Sequence, residues 1–177
     1  GFLFILGFRP ARDQWIALGV ILAGYWAVFA LHPVPGPEFD YSKVGVSSEF
    51  MREHGFTGFA AHWNKNSNLA WSFDTWFLNL FPREKAFAYN GGGYATLSFI
   101  PTLGTMILGL LTGQWLMSDR DPWRKIAGLV FAGAACIGIA YAAAHFDICP
   151  IVKRIWTPAW VFFAGGWGLV ILAGYHT

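Results

Sequence analysis

Charge is scarce in this sequence: 12% of its 177 residues are Asp, Glu, Lys or Arg, about half the share of an ordinary soluble domain. A net charge of +2 and the lack of any basic run remove the usual footprint of a nucleic-acid partner. Cysteine is scarcer still. Cys136 lies in an apolar run and Cys149 in a loop, and nothing in their placement joins them, so they define no redox compartment. His and Cys show none of the short ligand pairs of zinc sites. There is no G-x-S-x-G elbow and no P-loop, and no secretory signal is visible in these residues. The sequence therefore offers no ready nucleophile, metal set or nucleotide cradle.

What is there is apolar and aromatic. Hydrophobic residues make up 55%, with 17 Phe and 10 Trp, the composition of a bilayer protein with interfacial rings. A helical crossing needs about 20 residues. Gly1 to Phe8 is too short and reads as the tail of a preceding helix, ended at Pro10. Four full spans follow, over Trp15–Leu31, Tyr94–Met117, Ile126–Phe146 and Pro158–Tyr175. The sequence starts with Gly inside an apolar stretch, which suggests an internal piece of a longer protein. The expected fold is an all-α polytopic transmembrane helix bundle, residues 1–177 forming one membrane domain.

The one long polar region, 33–90, begins where Pro33, Pro35 and Pro37 stop the first span. Its aromatics, among them Phe39, Phe56, Trp63, Trp71 and Trp76, are too many for a disordered linker, so it should fold as an ordered cap. Within it Asn68–Phe81 has the spacing of a short amphipathic helix lying in the interface plane. Short loops set orientation better than long ones. Five basic residues (Arg9, Arg12, Arg120, Arg124, Lys125) flank one side, against Lys153 and Arg154 in the short loop on the other. That places the cap outside the cytoplasm.

The cap leads into Asn90–Gly113, NGGGYATLSFIPTLGTMILGLLTG, where a glycine-rich mouth runs straight into a span. Gly91-Gly92-Gly93 reads as a hinge or tight turn at the helix start, since no strand precedes it. Pro101 is expected to kink the span, with Thr102 or Thr105 taking up the freed carbonyl. Gly109 and Gly113 have the spacing for close helix packing, and Gly133, Ala134 and Gly138 offer a second smooth face.

Candidate binding residues concentrate near the cap. His62, Trp63 and Asn64, with Asn66, Asn68 and Asp74, form the densest polar–aromatic cluster, suited to a sugar, which takes aromatic faces and amide hydrogen bonds. The bland reading of this cluster is a satisfied loop core. Asn90 and Tyr94 stand at the mouth of the second span. Lys153 and Arg154 read either as anchors snorkelling to headgroups or as ligands for an anionic group, closing the site with Asp74 or Glu84. His32 reads as a helix-end residue, His145 and Asp147 as a possible pair, and His176 as a terminal residue.

Three stretches carry a resemblance: GYWAVFALHPVPG (24–36), GGGYATLSFIPTLGTMILGLLTG (91–113) and CPIVKRIWTPAWVFFAGGW (149–167). In order and spacing they are similar to the later membrane helices of the heparan-α-glucosaminide N-acetyltransferase family, with its bacterial acyltransferase-like and N-acetylglucosamine-related transporter-like branch. The most specific element is P-x-x-K-x-x-W-(S/T), here Pro150, Lys153, Trp156 and Thr157. The resemblance implies acetyl transfer from acetyl-CoA, as co-substrate of the parent protein, to an amino sugar or glycan. It also implies a bacterial inner-membrane location and an essential histidine in an H-x-x-W-x-G segment, which has no match here: His62-Trp63 is followed by Asn64-Lys65-Asn66. Relatives also carry D-P-E-G at the mouth where this chain has Gly92-Gly93-Tyr94-Ala95.

The expected role is thus the C-terminal part of a membrane acyltransferase, with no catalytic residue of its own and a substrate pocket drawn from His62, Trp63, Asn64, Asp74, Asn90, Tyr94, Lys153 and Arg154. Expected partners are the bilayer, the remaining helices of the parent protein, and a second copy or a larger membrane complex. A sugar transporter or permease, and a non-catalytic structural subunit, are the alternatives.

Overall fold

In the computed structural model, which describes residues 1–175 (Leu3 by its backbone alone), the regular elements are all helical and no strand occurs among the described residues. His176 lies outside them. A short helix, α1 (Phe2–Gly7), precedes α2 (Ala11–Leu31). The cap contributes α3 (Ser48–His54) and α4 (Leu69–Phe77), joined by 3-10 turns. Then come α5 (Phe99–Leu116), α6 (Pro122–His145) and α7 (Pro158–Tyr175). Four helices are long and apolar enough to cross a membrane: α2, α5 with its leading turn from Thr96, α6 and α7.

The helix ends follow from local chemistry. His32 closes α2 in extended geometry (φ −72°, ψ 132°), because the ring of Pro33 disfavours a helical residue before it. Asp121 caps α6 by accepting from the Trp123 N–H, with Pro122 in the first turn, where no N–H is missed. α6 thus begins a turn before the apolar run from Ile126, and α2 likewise begins at Ala11, a turn earlier than the apolar pattern indicates. The added turn of α2 holds Gln14, fully buried, whose amide donates to the carbonyls of Leu6 (3.1 Å) and Arg9 (3.2 Å). It thereby satisfies acceptors that the end of α1 leaves open.

Mid-bundle, Leu18 and Leu22 of α2 pack on Ile107 and Leu108 of α5 and on Val161 of α7. Close approach of α2 and α5 runs through Gly104, where a Cβ would stand 3.0 Å from Leu22 and 3.3 Å from Leu18. The α6–α7 contact is tighter. A Cβ on Gly133 would meet Val170 at 2.7 Å and the Gly166 carbonyl at 2.8 Å, and one on Gly166 would meet the Gly133 carbonyl at 2.7 Å. Without a hydrophobic drive between helices in lipid, such backbone proximity is what holds them.

Several expectations about small residues and proline change here. Gly109, Gly113 and Gly138 have no atom within 4 Å of a built Cβ, so they pack nothing among the described residues, whereas Gly104, Gly133 and Gly166 sit at the helix contacts. Pro101 falls in the first turn of α5, where its absent N–H has no intrahelical bond to lose. The freed-carbonyl role does not arise as expected: Thr102 donates to Ser98 O (2.8 Å), and Thr105 Oγ1 accepts from the Trp156 indole (3.1 Å).

A second core fastens the cap to the bundle. Tyr25 and Phe29 of α2 meet Trp63 and Ala70 of the cap and Cys149, Ile155 and Ala159 around the α6–α7 loop. The rings of Phe29 and Trp63 stack 6.4 Å apart at 6°. Tyr25 donates its hydroxyl to Ile155 O (2.8 Å), and Trp26 its indole N–H to Ile148 O (2.7 Å). Cys136 and Cys149 are both free thiols, and burial pushes the Cys149 thiol up to about 11.

Candidate functional site

The cap's asparagine run is built for architecture. Asn64, Asn66, Ser67 and Asn68 are all buried. Asn64 accepts from Phe56 N (2.8 Å) and donates to Phe56 O (3.0 Å), pairing with a backbone as a strand would. Asn66 takes up left-handed backbone (φ 52°), which asparagine tolerates, and donates to Val44 O and Asn90 O. Asn68 caps α4 by accepting from Trp71 N, and its amide donates to Asn64 O.

Asp74 is also committed. Only 3% exposed, it accepts the Thr96 N–H through both carboxylate oxygens, at 2.9 and 3.2 Å. A carboxylate at the start of the α5 span meets unpaired N–H groups and the positive end of the helix dipole. Among the described residues it forms no ion pair with Lys153 or Arg154.

The segment that carries P-x-x-K-x-x-W-T folds around one hydroxyl. Thr157, fully buried, donates to Pro150 O (2.7 Å) and accepts from Val152 N (3.0 Å) and Trp160 N (3.3 Å). It closes the loop and caps α7. Trp156 (φ 52°) is turned so that its indole reaches α5. Three of the four motif residues are thus structural, and Lys153 alone is exposed, its side chain in no ion pair among the described residues.

Between this loop and the cap lies a cleft of about 270 Å³. Phe50, Phe56, Trp63, Ile151 and Val152 give it apolar walls, Lys65, Lys153 and Arg154 give it charge, and His54 adds an imidazole. Lys65 Nζ lies 4.9 Å from the centroid of Phe50, and the Arg154 guanidinium 5.3 Å from the same ring. Burial first, and then the charge of Arg154, pull the Lys65 ammonium below the ordinary lysine range. The ion pairs among the described residues, Arg9–Asp13, Arg12–Asp13, Lys43–Asp40 and His54–Glu53, leave Lys65 and Arg154 without a carboxylate.

The glycine mouth builds this cleft. Gly91 O accepts from Lys65 Nζ (2.7 Å). Gly93 adopts φ +75°, and a Cβ there would stand 3.0 Å from the Lys65 stem and 3.4 Å from that of Arg154. A narrow polar crevice of about 10 Å³, room for a water molecule, adjoins the cleft and shares Asn68, Gly93 and Ile155 with it.

The expected site residues therefore divide. Trp63, Lys153 and Arg154 line the cleft; Asp74, Asn90 and Tyr94 line the crevice. Asn90 is a turn residue, its Oδ1 accepting from Gly92 N and Tyr94 N. Asn64 is a backbone clamp. His62 lines neither hollow: Nδ1 donates to His32 O (2.7 Å), tying cap to α2, and its ring packs on Phe59. His145 and Asp147 form no ion pair among the described residues. Sequence reasoning missed Lys65, Phe50 and Gly93 as one group. The available signal was a lone lysine inside an asparagine run. No cluster of three or more His, Cys, Asp or Glu able to hold a metal ion occurs among the described residues. No family model, curated protein or solved structure matches this chain.

Proposed function

We propose that this chain forms the acceptor-binding part of an integral membrane acyltransferase, which moves an acetyl group from acetyl-CoA to an amino sugar or glycan. The observation that supports this reading is convergence on one cleft. The loop with the most family-like spacing, 149–157, and the cap residues Trp63 and Lys65 lie far apart in sequence and wall the same hollow. Aromatic and apolar walls with a charged rim suit a sugar ring and its substituents. The histidine segment that the resemblance implies has no counterpart in these residues, so the chain supplies scaffold and pocket rather than the reacting group.

In this reading the bundle sits in a bacterial inner membrane with the cap and cleft on the extracytoplasmic side. Gly109 and Gly113 present an unpartnered small-residue face on α5, suited to a further helix of the parent protein, a second copy or another subunit. The test is transfer of radiolabelled acetyl from acetyl-CoA to glucosamine by membranes containing the native polypeptide. Labelled N-acetylglucosamine is expected, reduced by Arg154→Gln and absent with residues 1–177 alone. Transfer by residues 1–177 alone would overturn the division of labour. Uptake of glucosamine into liposomes without any acyl donor would instead favour a permease.

A further inference from the structure

Two half-buried cations facing one hollow without a counter-ion need an explanation, because burying like charges together is unfavourable. Lys65 comes from the cap and Arg154 from the α6–α7 loop, and both lie over Phe50. Lys65 gives one N–H to Gly91 O and keeps the others; Arg154 has five donors and makes no hydrogen bond among the described residues. Lys153 adds a third, exposed cation at the rim. Asp74, the carboxylate of the adjoining crevice, accepts from the Thr96 N–H and forms no ion pair with either cation among the described residues. Trp63 walls the hollow and keeps a buried indole N–H unpartnered.

We infer that the cleft binds a phosphate monoester, its oxygens between Lys65 and Arg154 and the rest of the ligand against Phe56, Trp63 and Ile151. Three cations around one hollow match a group of about −1.5 to −2 charge with three acceptor oxygens better than a singly charged carboxylate. Arginine's fork suits phosphate geometry. Gly93 is the feature that lets both stems converge, since a side chain there would hold them apart. The phosphate can come from a sugar phosphate or from a lipid headgroup at the membrane boundary. The inference rests on reading this cleft as the acceptor site, and a binding measurement needs neither acyl donor nor turnover.

The experiment is titration calorimetry on the whole chain in a phosphate-free maltoside detergent. The probes are glucosamine 6-phosphate, glucosamine and dihexanoyl phosphatidic acid. Phosphorylated probe should bind roughly ten-fold or more tightly than glucosamine, and inorganic phosphate should compete, a check that needs no variant. Arg154→Gln and Lys65→Gln should weaken binding roughly ten-fold or more, Lys65→Arg should retain most of it, and Arg124→Gln on α6 should change nothing. Binding of the phosphatidic acid alone would keep the phosphate assignment and overturn the acceptor reading. Equal binding of glucosamine and its phosphate, no binding of either phosphorylated probe, or indifference to both glutamine variants would overturn the inference without touching acetyl transfer to an unphosphorylated amino sugar.

Discussion

Gly93 stands against the stem of Lys65, a built Cβ falling 3.0 Å from Lys65 Cγ, and its φ of +75° is one that side chains rarely adopt. Backbone strain and crowding thus act at the same position, beside the two cations of the cleft. Gly93→Ala should cost about 1–2 kcal/mol from the left-handed backbone alone. It should also displace Lys65 and Arg154. The expected result is a lower thermal midpoint in detergent together with loss of phosphorylated-probe binding. Gly91→Ala, with open space at its Cβ, should leave both nearly unchanged.

The α6–α7 seam predicts a contrast among glycines. Gly133→Ala or Gly166→Ala drives a methyl into the backbone carbonyl of the facing helix, and overpacking of this kind costs about 1–3 kcal/mol. Gly138→Ala, on the same helix with nothing within 4 Å, should be neutral in the isolated chain. Thermal unfolding of the three variants in one detergent checks the ranking.

Asp74→Asn keeps an acceptor for Thr96 but removes the negative charge at the α5 mouth. Loss of a buried, charge-assisted hydrogen bond should destabilise by about 1–3 kcal/mol. Because Asp74 serves the helix start rather than a ligand, affinity for probe in the folded fraction should hold. A binding defect without a stability defect would return Asp74 to the list of ligand-contacting residues.

Thr157→Val preserves shape and removes the oxygen that serves Pro150, Val152 and Trp160. Leaving those buried groups unpaired should cost about 2–3 kcal/mol. Hydrogen exchange should show the loss as faster opening of residues 150–160, with α2 protected as before.

His32 gives a pH dependence. Burial first, and then the charge of His62, hold its pKa below the free value of 6.5. Between the folded value and 6.5 the unfolded chain binds more protons, so stability rises with pH through that window. It is fully present above the free value and is lost as pH falls through the folded one. The group facing His32 is the His62 ring, which donates to its carbonyl. The thermal midpoint should fall from about pH 7.5 to about pH 5, and His32→Gln should flatten the slope.

Much of the fold was legible because membrane helices are written in long apolar runs. Their order, Pro33 as the stop of α2 and Pro158 as the start of α7 follow from chain-local rules, whereas α6 starts at Pro122, a turn before the apolar run from Ile126 that marked it. The aromatics of 33–90 set the expectation of folded structure there, and that region carries α3 and α4. What the sequence could not reveal was which polar groups were already engaged. Asp74, Asn64 and His62 look like ligands in a linear reading, and each is satisfied by a backbone group brought in from elsewhere: Thr96, Phe56 and His32. Glycine spacing likewise identifies surfaces able to pack, yet only the bundle geometry selects Gly104, Gly133 and Gly166 over Gly109, Gly113 and Gly138. The cleft belongs to tertiary structure entirely. Lys65, Gly93 and Arg154 lie on three separate segments, and their juxtaposition arises when Tyr25, Phe29 and Trp63 seat the cap on the bundle. The sequence by itself determined which stretches form membrane-length helices and in what order, because that depends on neighbours along the chain. Only the folded protein decided which charges remain unpaired, because that depends on neighbours in space.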